Sequence, residues 1–357
     1  MWLIWNISIV LMMLFMSWQS VALLTGHDTE PPQPVNGAKA EEYPCGEISL
    51  GFGGMIFLSP DTGYLTGREN DKDQLLKTTD GGKTWHCLYD YDTFTQELQS
   101  YEGNLYVIEG ELLPDNSDTT RLLQSRDGGH TWQTITKMSG RIGNLHLFSP
   151  QCMTLVHTVT DVQNRRNREK ARLLISNDGG TTWQEHPIEG TLNERSIFRD
   201  GKTLCFAVGN QGSRLYRWNP ITGQETHCNM DWVFSMHGDD GLAAIQERFY
   251  QLADDTLIFE TSYDWGAFGG GSYSDLYLSK WDEKVFALSG QYPGDEYNRG
   301  LLYSDDSGRH WQVVDLFGKM RYIKLITAYK SNDIYKLFYM TADTTDHKTM
   351  HTLTFNP

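Results

Sequence analysis

The chain has 357 residues, of which 21% are charged and 12% are aromatic. These are the proportions of a globular protein, and all-β barrels and propellers of this length often form one domain. The 46 acidic residues outnumber the 30 basic ones and give a net charge of −16, which argues against nonspecific binding to DNA, RNA or anionic membranes.

The first segment, Met1 to Leu24, is almost wholly apolar and contains Ser20-Val21-Ala22, a small-x-small pattern that suits cleavage after Ala22. We predict that residues 1–22 are a signal peptide and that the protein is exported to a periplasmic, lumenal or extracellular location. No Lys or Arg precedes the apolar run, so an uncleaved anchor of marginal length is the alternative. Membrane contact is expected only through this segment.

Residues 23–44 contain Pro31, Pro32 and Pro34, a composition that predicts a flexible linker. Residues 45–357 are predicted to form one domain, which we expect to be monomeric.

The five cysteines are an odd number. In an exported protein, Cys45 with Cys87 and Cys205 with Cys228 are plausible pairs, because each would lie within or beside one repeat, leaving Cys152 as a buried thiol. The alternative is that all five are reduced. Their spacing matches no metal motif, and we expect neither a metal nor a cofactor.

The clearest pattern is Thr78-Thr79-Asp80-Gly81-Gly82-Lys83-Thr84-Trp85, which follows Leu75-Leu76. It returns at Ser125 to Trp132, at Ser176 to Trp183 and, in altered form, at Ser304 to Trp311. An Asp side chain accepts hydrogen bonds from backbone N–H groups in a turn, glycine supplies positive φ, and Trp begins the next strand. The structural residues of the four copies are Asp80 and Trp85, Asp127 and Trp132, Asp178 and Trp183, and Asp306 and Trp311.

The first three copies recur about every 50 residues, a period typical of β-propeller blades. We therefore predict an all-β fold, a β-propeller with seven four-stranded blades, the repeated turn joining strands three and four. Six blades is the alternative, because blades four and five rest on weak alternation. The last blade is one strand short, and Glu47 to Leu50 is predicted to supply that strand and close the ring.

The predicted strands follow in chain order. They are Met55 to Leu58, Tyr64-Leu65, Leu75 to Thr79 and one from Trp85; Glu97 to Ser100, Leu105 to Ile108, Leu122 to Ser125 and Trp132 to Thr136; Met153 to Thr158 in blade three; Ile197-Phe198, Thr203 to Val208 and Leu215 to Trp218; Val233 to Met236, Leu242 to Gln246, Phe249 to Leu252 and Leu257 to Thr261; Asp275 to Leu278, Val285 to Leu288, Leu301 to Ser304 and Trp311 to Val314; and Tyr322 to Ala328, Ile334 to Met340 and Thr349 to Phe355.

The repeated turns resemble the Asp-box, or BNR repeat, Ser/Thr-x-Asp-x-Gly-x-Thr-Trp, of sialidases and many non-enzymatic propellers. Blade one, from Ile56-Phe57 through Gly63-Tyr64-Leu65-Thr66-Gly67 to Trp85, is similar to the non-catalytic propellers related to the photosystem II assembly and stability factor. The resemblance covers blades one to three and the part of blade six that contains the fourth copy of the turn. It implies an exported platform that binds a partner protein.

The connections between strands two and three are the expected recognition loops, at Glu109 to Arg121, Asp161 to Arg172 and Gln291 to Gly300, because long polar loops on a rigid scaffold often bind partners. The alternative is that they are solvated hairpin tips. The candidate binding residues are Arg165, Arg166, Arg168, Lys170 and Arg172 in blade three, Glu109, Glu111 and Asp115 in blade two, and Tyr292, Asp295 and Tyr297 in blade six.

A sialidase-like glycoside hydrolase is the alternative function, and it needs an arginine cluster, a tyrosine activated by a glutamate and an acidic proton donor. The Phe/Tyr-Arg-Ile/Leu-Pro segment of that family is absent from blade one, where Arg68 stands in Gly67-Arg68-Glu69. No Ser-His-Asp order or metal motif is visible. We therefore assign no catalytic residue and expect a protein-binding platform that assembles, escorts or inhibits its partner.

Overall fold

Each stretch of predicted strands forms a four-stranded antiparallel sheet in the computed structural model. The structure describes residues 39–44, 49–69, 72–91, 93–112, 118–159, 171–209, 213–230, 236–239, 242–245, 248–253, 256–262, 277–281, 284–289, 300–306, 312–316, 322–331, 334–342 and 348–355. Within these ranges the chain is all-β, with seven such sheets. The predicted signal peptide lies outside them, and no helix of the described residues is long and apolar enough to cross a membrane.

The strands of the first four sheets, preceded by one N-terminal strand, are β1 (Lys39–Pro44), β2 (Ser49–Phe57), β3 (Gly63–Glu69), β4 (Lys72–Thr78), β5 (His86–Asp90), β6 (Phe94–Tyr101), β7 (Asn104–Leu112), β8 (Asp118–Ser125), β9 (Gln133–Ser139), β10 (Arg141–Leu147), β11 (Met153–Thr158), β12 (Arg172–Ser176), β13 (Gln184–Glu185), β14 (Leu192–Asp200), β15 (Thr203–Val208), β16 (Ser213–Trp218) and β17 (Glu225–Met230). The remaining strands are β18 (Met236–Asp239), β19 (Leu242–Ile245), β20 (Arg248–Ala253), β21 (Thr256–Ser262), β22 (Tyr277–Trp281), β23 (Lys284–Ser289), β24 (Gly300–Ser304), β25 (Gln312–Leu316), β26 (Tyr322–Ser331), β27 (Ile334–Ala342) and β28 (Lys348–Phe355).

Sheets one to six are meanders of four consecutive strands, beginning with β2–β5 and ending with β22–β25. Sheet seven has the order β1-β28-β27-β26. The first strands β2, β6, β10, β14, β18, β22 and β26 each contact the next in that order, and β26 also contacts β2. The described sheets thus meet in a closed cycle, which protects their edges and is compatible with a β-propeller.

The strand that completes sheet seven differs from the prediction. Ser49 and Leu50 belong to β2, opposite Arg68 and Gly67, and the closing strand is β1, from the end of the predicted linker. Tyr43 of β1 packs against the core cluster between sheets seven and one, a contact that favours this strand. The prediction that an N-terminal strand completes this sheet is confirmed, but the residues assigned to it were wrong.

The paired leucines before the first three repeated turns are explained by burial on both faces of the sheet. In β8, Leu122 packs with sheet three and Leu123 with sheet one. In β12, Leu173 packs with sheet four and Leu174 with sheet two. Successive side chains of a strand point to opposite faces of its sheet. A strand whose sheet is covered by a neighbouring sheet on both faces therefore needs apolar residues at consecutive positions.

The Cys205–Cys228 disulfide is not formed. Cys205 lies on β15 and Cys228 on β17, with β16 between them. Strands two places apart are separated by about 10 Å, beyond the 4.4–6.8 Å between Cα atoms that a disulfide spans. Cys152 and Cys205 are buried free thiols, and Cys45 lies outside the described residues.

Candidate functional site

The two ends of the sheets carry different connections. Gly81 N donates to Asp61 O at 2.9 Å and Gly179 N to Gln151 O at 2.9 Å, so the repeated turns lie beside the turns between strands one and two. We call this end the turn face. In an antiparallel meander the connections between strands two and three lie at the other end, which we call the loop face.

The acidic residues of the repeated turns are bound within the turns. Asp127 Oδ1 accepts from Thr131 N at 2.9 Å and from Ser125 Oγ at 2.8 Å, while Gly129 N donates to Ser125 Oγ at 2.8 Å. Trp132 Nε1 donates to Gly129 O at 3.1 Å. The turns at 78–85 and 176–183 repeat these bonds.

Protonation of these carboxylates is correspondingly disfavoured. Hydrogen bonds from Thr182 and Ser176 lower the pKa of Asp178 to about 2. Such a carboxylate holds a turn and is a poor proton donor. In the fourth copy Ser304 Oγ donates to Asp306 Oδ1 at 2.9 Å, and Trp311 lies outside the described residues.

At the loop face, the predicted recognition loop of blade two is shorter than expected. Glu109 and Glu111 lie within β7, and Glu109 faces Arg121 of β8 in the register. Glu109 is 3% exposed and forms an ion pair with Arg121. Glu109 is therefore a buried strand residue that holds β7 against β8 through Arg121, and it is not part of an exposed recognition loop.

A second buried acid lies nearby, between sheets one and two. Asp73 Oδ2 accepts from Thr95 Oγ1 at 2.9 Å, and Arg68 Nε lies 3.8 Å from Asp73 Oδ1. Tyr91 is 2% exposed, and burial together with Glu109 raises its pKa well above the usual value. The cluster contains the residue types of a glycosidase, but its acids are engaged and its tyrosine is buried.

A cleft of about 370 Å³ lies between sheets three and four, where β12 begins. Its lining includes Arg172, Glu185 and His186. The ring of His186 stacks on Trp218, with centroids 3.8 Å apart, and its Nε2 lies 2.7 Å from Glu225 Oε2. Arg172 is an exposed candidate binding residue. The structure places it in one cleft with Glu185 and His186, which were not predicted to lie near it.

The inner strands carry another group of perturbed residues. Glu97 on β6 accepts hydrogen bonds from Leu145 N at 3.0 Å and from Gln99 Nε2 at 3.1 Å. Burial raises the pKa of the Glu97 carboxyl to about 7, although these hydrogen bonds act in the opposite direction. Burial, with the nearby charge of Arg199, lowers the pKa of His146 on β10 to about 4. Neither Glu97 nor His146 was predicted from the sequence as a perturbed residue. The available signal was the position of Glu97, an acidic residue, within a predicted strand.

We expect Glu97→Gln to remove part of the pH dependence of stability. The pKa of Glu97 is about 7 in the folded protein against an ordinary value of 4.5, so its burial favours the protonated form. The wild type should lose stability as pH rises from about 4.5 to about 7, because in this range the folded state binds the Glu97 proton more tightly than the unfolded state does. Melting temperatures across this range test the expectation, with the exposed Glu102→Gln as control. Parallel curves for the wild type and E97Q would contradict it.

Several candidate residues lie outside the described part of the chain. They are Asp115, Arg165, Arg166, Arg168, Lys170, Tyr292, Asp295 and Tyr297. Within the described residues, no group of three or more His, Cys, Asp and Glu side chains is placed to bind a metal ion.

The chain is similar in fold to several solved structures. An uncharacterized protein, lmo1340 from Listeria monocytogenes EGD-e, matches with a TM-score of 0.53 and 12% identity over 90% of this chain and 97% of that one. An ulvan lyase of polysaccharide lyase family PL25 matches with a TM-score of 0.54 and 9% identity over 86% and 94%. An acylaminoacyl peptidase matches with a TM-score of 0.50 and 9% identity over 88% and 57%.

No protein-family model matches the sequence, and no curated protein is similar to it. At these identities the structural likeness shows the fold alone. The neighbours include propeller-type folds, in agreement with the closed cycle of sheets.

Proposed function

We propose that this protein is an exported, seven-bladed β-propeller with Asp-box turns, and that its loop face binds an acidic surface of a partner protein. The observation that carries the proposal is the position of Arg172 in the cleft between sheets three and four. The residues immediately before it in sequence include Arg165, Arg166, Arg168 and Lys170. In the sequence, a basic stretch thus precedes the cleft residue Arg172, on a protein of net charge −16.

The chemistry of the cleft suits protein recognition. Arginine forms paired hydrogen bonds with carboxylates and is enriched at interface hot spots. The apolar Ile188 and the stacked His186 supply a partly apolar floor beside Arg172. Exposed polar residues around such a floor are typical of protein interfaces.

The internal pairing of the acids favours binding over glycoside hydrolysis. A glycosidase needs two carboxyl groups that reach the scissile bond. Glu109 is instead paired with Arg121, and Asp73 accepts from Thr95. Both acids are thereby committed to holding strands together at the loop face.

Charge reversal tests the proposal. The partner is first recovered by pull-down from the envelope fraction of the native host, and its binding kinetics are then measured at low and high salt. The triple variant R165E/R166E/R168E and the single variant Arg172→Glu should fold normally but associate at least tenfold more slowly at low salt, because they repel an acidic surface.

Lys202→Glu is the matched control for Arg172→Glu, because Lys202 is exposed in the turn between β14 and β15, at the turn face. It should associate at close to the wild-type rate. Wild-type association by the triple variant and by Arg172→Glu would show that the partner binds elsewhere. Recovery of no partner, together with release of sugar from an exposed glycan, would favour the hydrolase.

A further inference from the structure

A second cavity lies on the turn face, between sheets two and three, and has a volume of about 570 Å³. This volume is within the range of about 300–1,000 Å³ of small-molecule sites. The cavity is at the opposite end of the sheets from the cleft that contains Arg172. The function proposed above does not involve it.

Carboxamide and hydroxyl groups dominate the lining. Four carboxamide residues contribute, together with Tyr106 and Thr181. The carboxamides are those of Asn104, Gln124, Gln133 and Gln151. A carboxamide presents a donor and an acceptor side by side, which matches the paired hydroxyl groups of a sugar.

The central carboxamide is held in place. Gln124 Nε2 donates to Tyr106 Oη at 2.8 Å, and Arg126 Nε donates to Gln124 Oε1 at 3.2 Å. Tyr106, Gln124 and Gln133 face one another across three strands, so their side chains share the sheet face towards sheet three. An amide fixed by two bonds loses little rotamer entropy when a ligand binds, and it retains one N–H and one lone pair.

The charges of the lining cancel. Arg126 is its cation and Asp178 its anion, and the Asp178 carboxylate already accepts from Thr182 and Ser176. A site with balanced charge and many neutral polar groups favours an uncharged polyhydroxy ligand over an anion or a cation.

The repeat supplies two internal comparisons, in which the equivalent space is filled. A Cβ atom on Gly128, in the turn facing sheet one, would lie 3.1 Å from Tyr64 Oη. On Gly81, facing sheet seven, it would lie 2.7 Å from Lys336 Nζ. On Gly179, within 4 Å it would meet only Pro150 O, at 3.3 Å, and Tyr106 lies across the cavity. Among the three described junctions compared, the opening is found only between sheets two and three.

We propose that this cavity binds a neutral oligosaccharide, and that Gln124, Gln133 and Gln151 make the hydrogen bonds to its hydroxyl groups. The full-length protein is titrated with maltotriose, cellotriose and chitotriose, and with trigalacturonate as an anionic counterpart. Saturation-transfer NMR detects binding and calorimetry gives Kd. At least one neutral trisaccharide should bind at millimolar concentration or below, and trigalacturonate should not.

Gln124→Met keeps the length of the side chain and removes its hydrogen bonds. It should weaken binding about tenfold, as expected for the loss of one or two neutral hydrogen bonds. Lys77→Met is the matched control, because Lys77 faces Tyr64 as Gln124 faces Tyr106, in the junction without the cavity. It should bind like the wild type.

Gln133→Ala, at an exposed position, is the second variant in case Gln124→Met does not fold, and it should also weaken binding. Three results would overturn the proposal: no neutral trisaccharide binds, only trigalacturonate binds, or Gln124→Met and Gln133→Ala bind as tightly as the wild type. Equal weakening by Lys77→Met would place the site elsewhere.

Discussion

Replacing Gly129 with alanine lowers the free energy of unfolding by about 2–5 kcal/mol, from about 1–2 for a left-handed residue and about 1–3 for overpacking. Gly129 has φ +92°, and a Cβ atom there would lie 2.8 Å from Leu75 Cδ2 and 2.8 Å from Leu88 Cδ2. Leu75 is fully buried in the core between sheets one and two, so it has little room to move. Denaturant unfolding measures the loss.

Gly223→Ala is the matched control, because Gly223 has φ +74° and a Cβ atom added there would meet no other atom within 4 Å. Its cost comes from the backbone alone, about 1–2 kcal/mol. The difference between the two variants isolates the contact between the turn and sheet one. Equal losses would show that the repeated turn is not a packing element between sheets.

Replacing Arg121 with methionine destabilises the protein by about 2–4 kcal/mol at neutral pH, because it removes the cation that pairs with the buried carboxylate of Glu109. The Arg121 side chain is 31% exposed and that of Glu109 only 4%. Water therefore reaches the arginine more easily than the acid, and we expect a smaller loss than for a fully buried pair. Chemical denaturation at pH 7 provides the measurement.

The double variant E109Q/R121M distinguishes two causes of the loss: the removal of the Arg121 charge and the removal of the contacts made by its side chain. It removes the buried charge and should recover at least half of the loss. The pH dependence is a further check: without Arg121, the folded state favours protonated Glu109, so the deficit of R121M should shrink below about pH 4–5. A deficit that is constant with pH and unchanged in the double variant would mean that the arginine acts through its aliphatic stem.

The turns were predictable from sequence because their bonds are local. Ser125, Asp127 and Thr131 lie within seven consecutive residues and bond to one another, so the pattern carries its own geometry. The paired leucines likewise predicted strands. That Leu122 and Leu123 pack against two different neighbouring sheets could be seen only from the arrangement of the sheets.

The loop-face residues were less predictable because side-chain burial depends on the neighbouring strand. Glu109 resembled an exposed loop residue in a run of acidic residues, but pairing of β7 with β8 places it opposite Arg121. His186 and Glu225 meet across two sheets, and no spacing rule connects residues so far apart. The glutamine-lined cavity could not be predicted either, because it depends on the distance between the turn at 176–183 and Tyr106 of the neighbouring sheet.

The all-β fold and the repeated turns follow from local signals in the sequence, because alternation and turn chemistry act over a few neighbouring residues. Long-range contacts select the N-terminal strand that completes sheet seven: β1 pairs with β28, and Tyr43 packs beside the core. The strand order of sheet four keeps Cys205 and Cys228 apart, because β16 lies between their strands. The pairing of β1 with β28 joins residues at the two ends of the described chain, so its energy appears only when the sheets assemble.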